Sequence, residues 1–120
     1  VELGDEHPEL AATYHHIGNC LTDQDRADDA IWYFEEVIRL KKLDPDLGAE
    51  GDSDVLAIKG VLNTLTGQKE EGLRYYERSL EILTRKVPHR KEKIATLLHV
   101  IGCVYLTMGE YKKAMKILYF

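Results

Sequence analysis

A glycine that recurs at a fixed interval is the feature of this sequence that most constrains its fold. Gly18, Gly60 and Gly102 follow one another at intervals of 42 residues. A period of roughly 20–50 residues is typical of repeat arrays, in which each repeat is one supersecondary unit. The chain of 120 residues is therefore expected to hold about three copies of one unit.

Three further positions repeat in register with each glycine. Seven residues on stands a residue suited to a turn, twelve residues on a small residue, and sixteen residues on a large apolar or aromatic residue. In that order, these positions are Asp25, Gly67 and Gly109; Ala30, Gly72 and Ala114; and Phe34, Tyr76 and Leu118. Because small side chains let helix backbones approach closely, the pattern predicts two tightly crossed helices joined by a turn.

Apolar residues at steps of three and four predict where the helices lie. The expected helices cover residues 9–22, 26–42, 53–66 and 69–86, followed by a third pair that starts near residue 91 and turns at Gly109. Residues 43–54 are polar and contain Pro45, which predicts a long connector whose acids and serine cap the next helix. The repeats are thus 9–42, 53–86 and 91–120, the last of which we expect to be truncated, with residues 1–8 as a connector from a preceding repeat.

Composition favours one cooperative globular unit, since 44% of the residues are apolar and 31% are charged. The formal charge of −5 and the pI near 5.5 argue against general affinity for nucleic acid or an anionic membrane. No segment approaches the roughly 18 consecutive apolar residues of a membrane span. The two cysteines lie in different repeats and in helical segments, so we expect no disulfide and a cytoplasmic location.

The repeated pattern resembles the tetratricopeptide repeat (TPR) family, which couples a large residue, a Leu-Gly pair and a tyrosine in one helix to Ala and Phe in the next. The first copy reads Tyr14, Ile17-Gly18, Leu21, Ala30, Phe34; the third reads Leu98, Ile101-Gly102, Tyr105, Ala114. The middle copy departs from the pattern, because Lys59 and Asn63 stand where apolar residues are expected. The resemblance implies an all-α solenoid of antiparallel helix hairpins in a right-handed superhelix.

A narrower resemblance is to the kinesin-light-chain type of TPR. The 42-residue interval and the connector Leu3-Gly4-Asp5-Glu6-His7-Pro8 are similar to that subtype. The later connectors, at residues 45–48 and 87–89, diverge from it.

The TPR resemblance implies a binding groove lined by the first helix of each hairpin, on the concave side of the stack. Positions one face away from the glycines are expected to line it: Ala12, His15, Asn19, Thr22, Ala57, Val61, Thr64, Thr96, His99 and Cys103. This surface is mildly polar and nearly uncharged. It therefore favours recognition of an extended peptide or a partner helix over a clamp for a carboxylate, which needs converging cations.

Two interpretations of Lys59 and Asn63 stay open. In one, the helix is slightly rotated, so that the core is supplied by Val55, Ile58, Leu62 and Leu65, and Lys59 extends along it to solvent. In the other, both side chains reach the groove and hold an acid or backbone carbonyls of a ligand.

A basic run at residues 85–93 also has two interpretations. Arg85 and Lys86 suit the end of a helix, where cations are favoured. A site for phosphate, RNA or an acidic protein is the alternative, and it predicts binding that weakens steeply with salt.

Catalysis and metal binding are not supported by the sequence. His16 with Cys20, and His99 with Cys103, are four residues apart and can share a helical face, but no further ligand has suitable spacing. No motif places a nucleophile beside a base. We therefore expect no enzyme, no cofactor and no metal.

Together, these features predict a protein–protein interaction scaffold that binds a protein or peptide in its groove. The alternative is a structural or regulatory segment, a spacer or autoinhibitory surface, of a larger multidomain protein. Because the apolar face of the third repeat runs to Tyr119 and Phe120, we also expect self-association or fraying at that end.

Overall fold

The computed structural model describes residues 9–118, which form six helices and no strand. In chain order the helices are α1 (Glu9–Asp23), α2 (Ala27–Lys42), α3 (Gly48–Leu65), α4 (Lys69–Lys86), α5 (Lys91–Thr107) and α6 (Tyr111–Leu118). Each odd-numbered helix packs against the helix that follows it, and α4 also packs against α5. The all-α helical repeat is thus confirmed.

The residues divide into two compact units between Leu47 and Gly48. The first unit contains α1 and α2, and its buried side chains are Ala11, Ala30, Phe34, Val37 and Leu40. The second unit contains α3 to α6. Its main cluster consists of Leu73, Tyr76, Leu83, Val87, Leu97, Ile101 and Val104. Each of these two units has its own buried core.

The three repeated glycines determine how closely the two helices of each hairpin approach each other. A Cβ on Gly18 would lie 2.8 Å from the ring of Phe34, and a Cβ on Gly60 would lie 2.8 Å from the ring of Tyr76. A Cβ on Gly102 would lie 2.6 Å from Leu118. In all three hairpins the large residue sixteen positions on therefore fills the space that a side chain on the glycine would need. The crossing predicted from the small residues is confirmed.

The three turns are also alike. Asp25, Gly67 and Gly109 all have positive φ, at 59°, 86° and 79°. One residue later, a backbone N–H bonds to the carbonyl five residues back: Arg26 to Leu21 at 2.8 Å, Gln68 to Asn63 at 2.7 Å and Glu110 to Tyr105 at 2.9 Å. This is the arrangement of a Schellman-type helix end. The turn prediction for these positions is confirmed, with aspartate taking the left-handed conformation once.

The start of α3 is the largest departure from the sequence prediction. The helix begins at Gly48, so the connector from α2 covers residues 43–47 and not 43–54. Gly51 and Ser53 are buried, and Ser53 forms hydrogen bonds with Ser79 of α4. Packing against α4 thus overrides the weak helix propensity of this glycine- and aspartate-rich segment.

The connector at residues 3–8 and the terminal residues Tyr119 and Phe120 lie outside the described residues. Within residues 9–118, no helix has both the length and the apolar character needed to cross a membrane.

Candidate peptide-binding surface

Helix α5 exposes most of the groove positions assigned to it. Thr96 and His99 are exposed, and Cys103 is half-buried beside them. The Cys103 Sγ lies 3.6 Å from the His99 Nε2, and the Thr96 hydroxyl donates to the backbone oxygen of Glu92 at 2.9 Å. Leu106, one turn further on, is 41% exposed. This face of α5 therefore offers an imidazole, a thiol and an apolar side chain along about three turns.

The groove positions of α3 are more involved in packing. Ala57 and Val61 are half-buried and pack against the core cluster of the second unit. The Thr64 hydroxyl donates to the Gly60 oxygen at 2.9 Å, and a Cβ on Gly72 would lie 2.6 Å from that hydroxyl. Thr64 thus lies in the crossing of α3 and α4. Ala57 and Val61 remain as the apolar contribution of α3 to a binding surface.

In the first unit, two of the four groove positions of α1 are exposed and two are half-buried. Ala12 and Asn19 are exposed. His15 lies edge-on to the Phe34 ring, with 5.8 Å between ring centroids, and the Thr22 hydroxyl donates to the Gly18 oxygen at 2.9 Å. Asn19 is therefore the polar side chain of this set that is presented to solvent.

An ion cluster ties the start of α3 to the start of α5. Lys93 Nζ lies 2.8 Å from Glu50 Oε1 and 3.0 Å from Asp54 Oδ1, and Arg90 Nη2 lies 2.9 Å from Glu50 Oε1. The hydrogen bond from Lys93 lowers the pKa of Glu50, against the effect of burial. Burial alone would lower the pKa of Lys93, but its hydrogen bonds to Glu50 and Asp54 raise it. This cluster links the two helices that carry the candidate surface through side-chain ion pairs.

This cluster was not predicted from the sequence, because Glu50 and Asp54 fall within residues 43–54, which were assigned to a connector. Once α3 begins at Gly48, Glu50 and Asp54 are four residues apart on a helix and face the same side. The i,i+4 spacing of Glu50 and Asp54 was the feature of the sequence from which the cluster could have been predicted.

Lys59 and Asn63 lie on the α3 surface beside α4. The Asn63 amide donates to the backbone oxygen of Lys59 at 2.9 Å. The Lys59 Nζ lies 6.0 Å from the centroid of the Tyr75 ring, and Arg78 approaches the same ring at 5.8 Å. Of the four residues that the rotated-helix interpretation assigns to the core, Val55 and Ile58 are buried, whereas Leu62 and Leu65 are half-buried. The Asn63 amide is thus hydrogen-bonded within its own helix, and the Lys59 ammonium lies near the face of an aromatic ring.

The basic run at residues 85–93 is partly neutralised within the chain. Arg85 pairs with Glu81 at 3.4 Å, while Arg90 and Lys93 belong to the ion cluster. Fewer cations are therefore available to an external anion than the sequence alone suggests.

The histidine and cysteine pairs behave differently. His99 contacts Cys103, whereas His16 and Cys20, at the same spacing, are both exposed and no hydrogen bond joins them within the described residues. Across residues 9–118, no group of three or more His, Cys, Asp or Glu side chains is placed to hold a metal ion.

Burial raises the pKa of Tyr76 to about 12, so this tyrosine stays neutral at physiological pH.

An aromatic surface on the first unit was not identified from the sequence as a site. Trp32, the single tryptophan, is 52% exposed and lies edge-on to Tyr33 and Tyr14 at centroid distances of 5.0 and 6.0 Å. An open pocket of about 510 Å³ adjoins it; its lining residues are Ile17, Leu21, Arg26, Asp28, Asp29, Trp32 and Tyr33. The signal in the sequence was a tryptophan at a helix position that the repeat does not require to be apolar, since Arg74 and Lys116 occupy it in the other copies.

Comparison with known families gives two matches. Family models described as tetratricopeptide repeat match residues 10–43 and residues 55–119. The second match alone covers more than half of the chain. No curated protein gave a significant match to the chain.

Proposed function

Because the chain belongs to the tetratricopeptide repeat family, whose repeats generally mediate protein–protein interactions, we propose that it binds an extended peptide or a partner helix. The surface proposed for this role in the second unit comprises Ala57 and Val61 of α3 and Thr96, His99 and Cys103 of α5. The observation that carries the proposal is the exposed face of α5, which the core of the unit leaves uncovered.

The chemistry of this surface favours recognition through shape and hydrogen bonds. His99 can donate and accept, Thr96 retains an acceptor oxygen, and Ala57, Val61 and Leu106 supply apolar area. Arg90 and Lys93, the nearby cations, are held by Glu50 and Asp54. A peptide held by its carboxylate would have to compete with those acids, so we propose a ligand of low net charge.

The test is a selection from a library of random peptides, followed by calorimetry with variants. Replacing Thr96 by Arg together with His99→Ala is expected to weaken the selected peptide by at least about tenfold, equivalent to about 1.4 kcal/mol. The matched control replaces Glu77 and Thr84, two exposed residues of α4, by Ala and should leave the affinity unchanged. Selection of a peptide whose affinity is unaffected by the α5 variant would refute the assignment of the surface. Failure to select any peptide would favour the spacer or autoinhibitory role.

The kinesin-light-chain subtype and a cytoplasmic location remain predictions from the sequence. Cys20 and Cys103 are free thiols, which is compatible with a reducing compartment.

A further inference from the structure

The two units of the chain carry opposite charge. Residues 1–47 contain twelve acidic and four basic side chains, whereas residues 48–120 contain nine acidic and twelve basic ones. Their formal charges at pH 7 are therefore −8 and +3. Such an asymmetry between the two parts of a chain suggests electrostatic association with a partner.

The acidic unit exposes an apolar side chain among its acids. Asp28, Trp32 and Glu35 are exposed and are spaced four and three residues apart, which places them on one face of α2. The edge-on contacts of Trp32 with Tyr14 and Tyr33 hold the indole in place. We call these three residues the acidic surface.

The basic unit exposes apolar side chains among lysines. Tyr111 is 64% exposed and Met115 is 59% exposed, one turn apart on α6. Lys112 and Lys116 are exposed beside them at the same spacing. We call these four residues the basic surface.

Apolar side chains rimmed by charge are characteristic of protein interaction sites. We propose that the basic surface of one copy of this chain docks on the acidic surface of a second copy. Charge complementarity selects this occupant, because the lysines that match Asp28 and Glu35 flank exposed apolar residues that match Trp32. The proposal differs from the self-association expected from the sequence, which was placed at Tyr119 and Phe120, and it does not depend on the groove of α3 and α5.

The symmetry of the contact has a consequence that can be measured. Since two different surfaces meet, the contact is heterologous and leaves one free surface at each end of a dimer. As the protein concentration rises, assemblies larger than the dimer should therefore form. It should also weaken when salt rises from about 0.01 M to about 0.5 M, because the screening length falls from about 30 Å to a few ångströms.

The experiment compares the mass of the chain in solution with that of two surface variants. One variant combines Asp28→Lys with Glu35→Lys, and the other combines Lys112→Glu with Lys116→Glu. Each variant alone should sediment as a monomer of the 13.7 kDa chain, since each lacks one of the two surfaces. A mixture of the two should form dimers and no larger species, because each variant retains the surface that the other lacks. A control that combines Lys86→Glu with Lys91→Glu changes the charge equally at exposed positions outside α6 and should associate as the unaltered chain does.

Several outcomes would overturn the proposal. An unaltered chain that stays monomeric at low salt and high concentration would show that the two surfaces do not dock on each other. Association that persists in either variant alone, or a mixture that remains monomeric, would show that these surfaces do not meet. Equal far-ultraviolet circular dichroism of all variants would show that each remains folded. Peptide binding by the α5 surface is measured separately, so failure here leaves the groove proposal intact.

Discussion

At Gly60 a single missing side chain sets the distance between α3 and α4. Its absent Cβ would meet the Tyr76 ring at 2.8 Å and the backbone oxygen of Gly72 at 3.0 Å. Neither neighbour can move easily, since the ring is buried and the oxygen belongs to the helix backbone. At Gly102 the corresponding neighbour is the flexible side chain of Leu118, near the end of α6.

We therefore expect Gly60→Ala to destabilise the protein more than Gly102→Ala does. Overpacking of a tight core usually costs about 1–3 kcal/mol, and the Gly60 variant should lie in the upper part of that range. The free energy of unfolding in urea measures the difference. Gly67→Ala is the comparison for backbone strain alone, because Gly67 has φ of 86° and nothing within 4 Å of the added methyl group. Equal losses for Gly60→Ala and Gly102→Ala would contradict this account.

Ser53 and Ser79 form the buried polar pair of the second unit. Both are at most 1% exposed; their hydroxyl oxygens lie 2.7 Å apart, and the Ser79 hydroxyl also lies 2.7 Å from the Ser53 carbonyl oxygen. Either Ser→Ala change should cost about 1 kcal/mol through the lost hydrogen bond. The double variant should cost less than the sum of the two, because the hydroxyl–hydroxyl contact is lost only once. A double-mutant cycle of unfolding free energies that shows simple additivity would mean that the two hydroxyls do not interact.

The helices show why tertiary contacts were the hard part to predict. The bounds of α2 and α4 and the start of α5 agree closely with the prediction; each helix has acids in its first turn, and α2 and α4 also have bases in the last. Helix α3 begins five residues before the predicted start at residue 53 because Gly51 and Ser53 lie against α4, and no local pattern announces that contact. Because Glu50 lies before the predicted start of the helix, the ion cluster to which it belongs was not predicted either.

The ion cluster between α3 and α5 predicts a defined pH dependence for the stability of the second unit. The pKa of Glu50 is lowered in the folded protein from an ordinary value of 4.5, so its contribution to stability is present above about pH 4.5 and is lost as the pH falls through the folded value. The pKa of Lys93 is raised, so its contribution is present below its ordinary pKa of 10.5 and is lost only above that. Between these limits Glu50→Gln should lower the melting temperature by a few degrees.

Thermal unfolding of the unaltered chain and of Glu50→Gln at several pH values checks this dependence. The difference between the two should be constant from about pH 6 to pH 9 and should shrink below about pH 4.5 as the carboxylate is protonated. Glu70→Gln, at an exposed position of α4 outside the cluster, is the control. A difference that grows as the pH falls would have the wrong sign and would refute the role of the cluster.

For the whole molecule, the 42-residue period predicted the family and the six helices, while the candidate surface was predicted less completely. The period works because Gly18, Gly60 and Gly102 each meet a large side chain at a fixed separation, which the sequence displays directly. Groove positions depend instead on helix rotation and on neighbours. Thr22 and Thr64 bond to the glycine carbonyls, and the exposed Trp32 was not recognised as part of a surface.

The charge distribution of the molecule leads us to expect weak binding to nucleic acid. Arg90 and Lys93 are engaged by Glu50 and Asp54, so single-stranded RNA should bind no more tightly than about 10⁻⁴ M at physiological salt. Replacing both acids by their amides should free the cations and increase the affinity severalfold at low salt. Fluorescence anisotropy of a labelled oligonucleotide measures this. Tight, steeply salt-dependent binding by the unaltered chain would restore the anion-site interpretation of residues 85–93.

The sixteen-residue separation between each glycine and its large partner also bears on how fast the protein folds. Gly18 meets Phe34, and Gly60 meets Tyr76, across a loop that a flexible chain closes in well under a microsecond. Contacts this close in sequence give a low relative contact order, the property shared by helical proteins that fold in microseconds to milliseconds. Each hairpin holds its own closing contact, so it can form once its own two helices have left the ribosome, without the other hairpins.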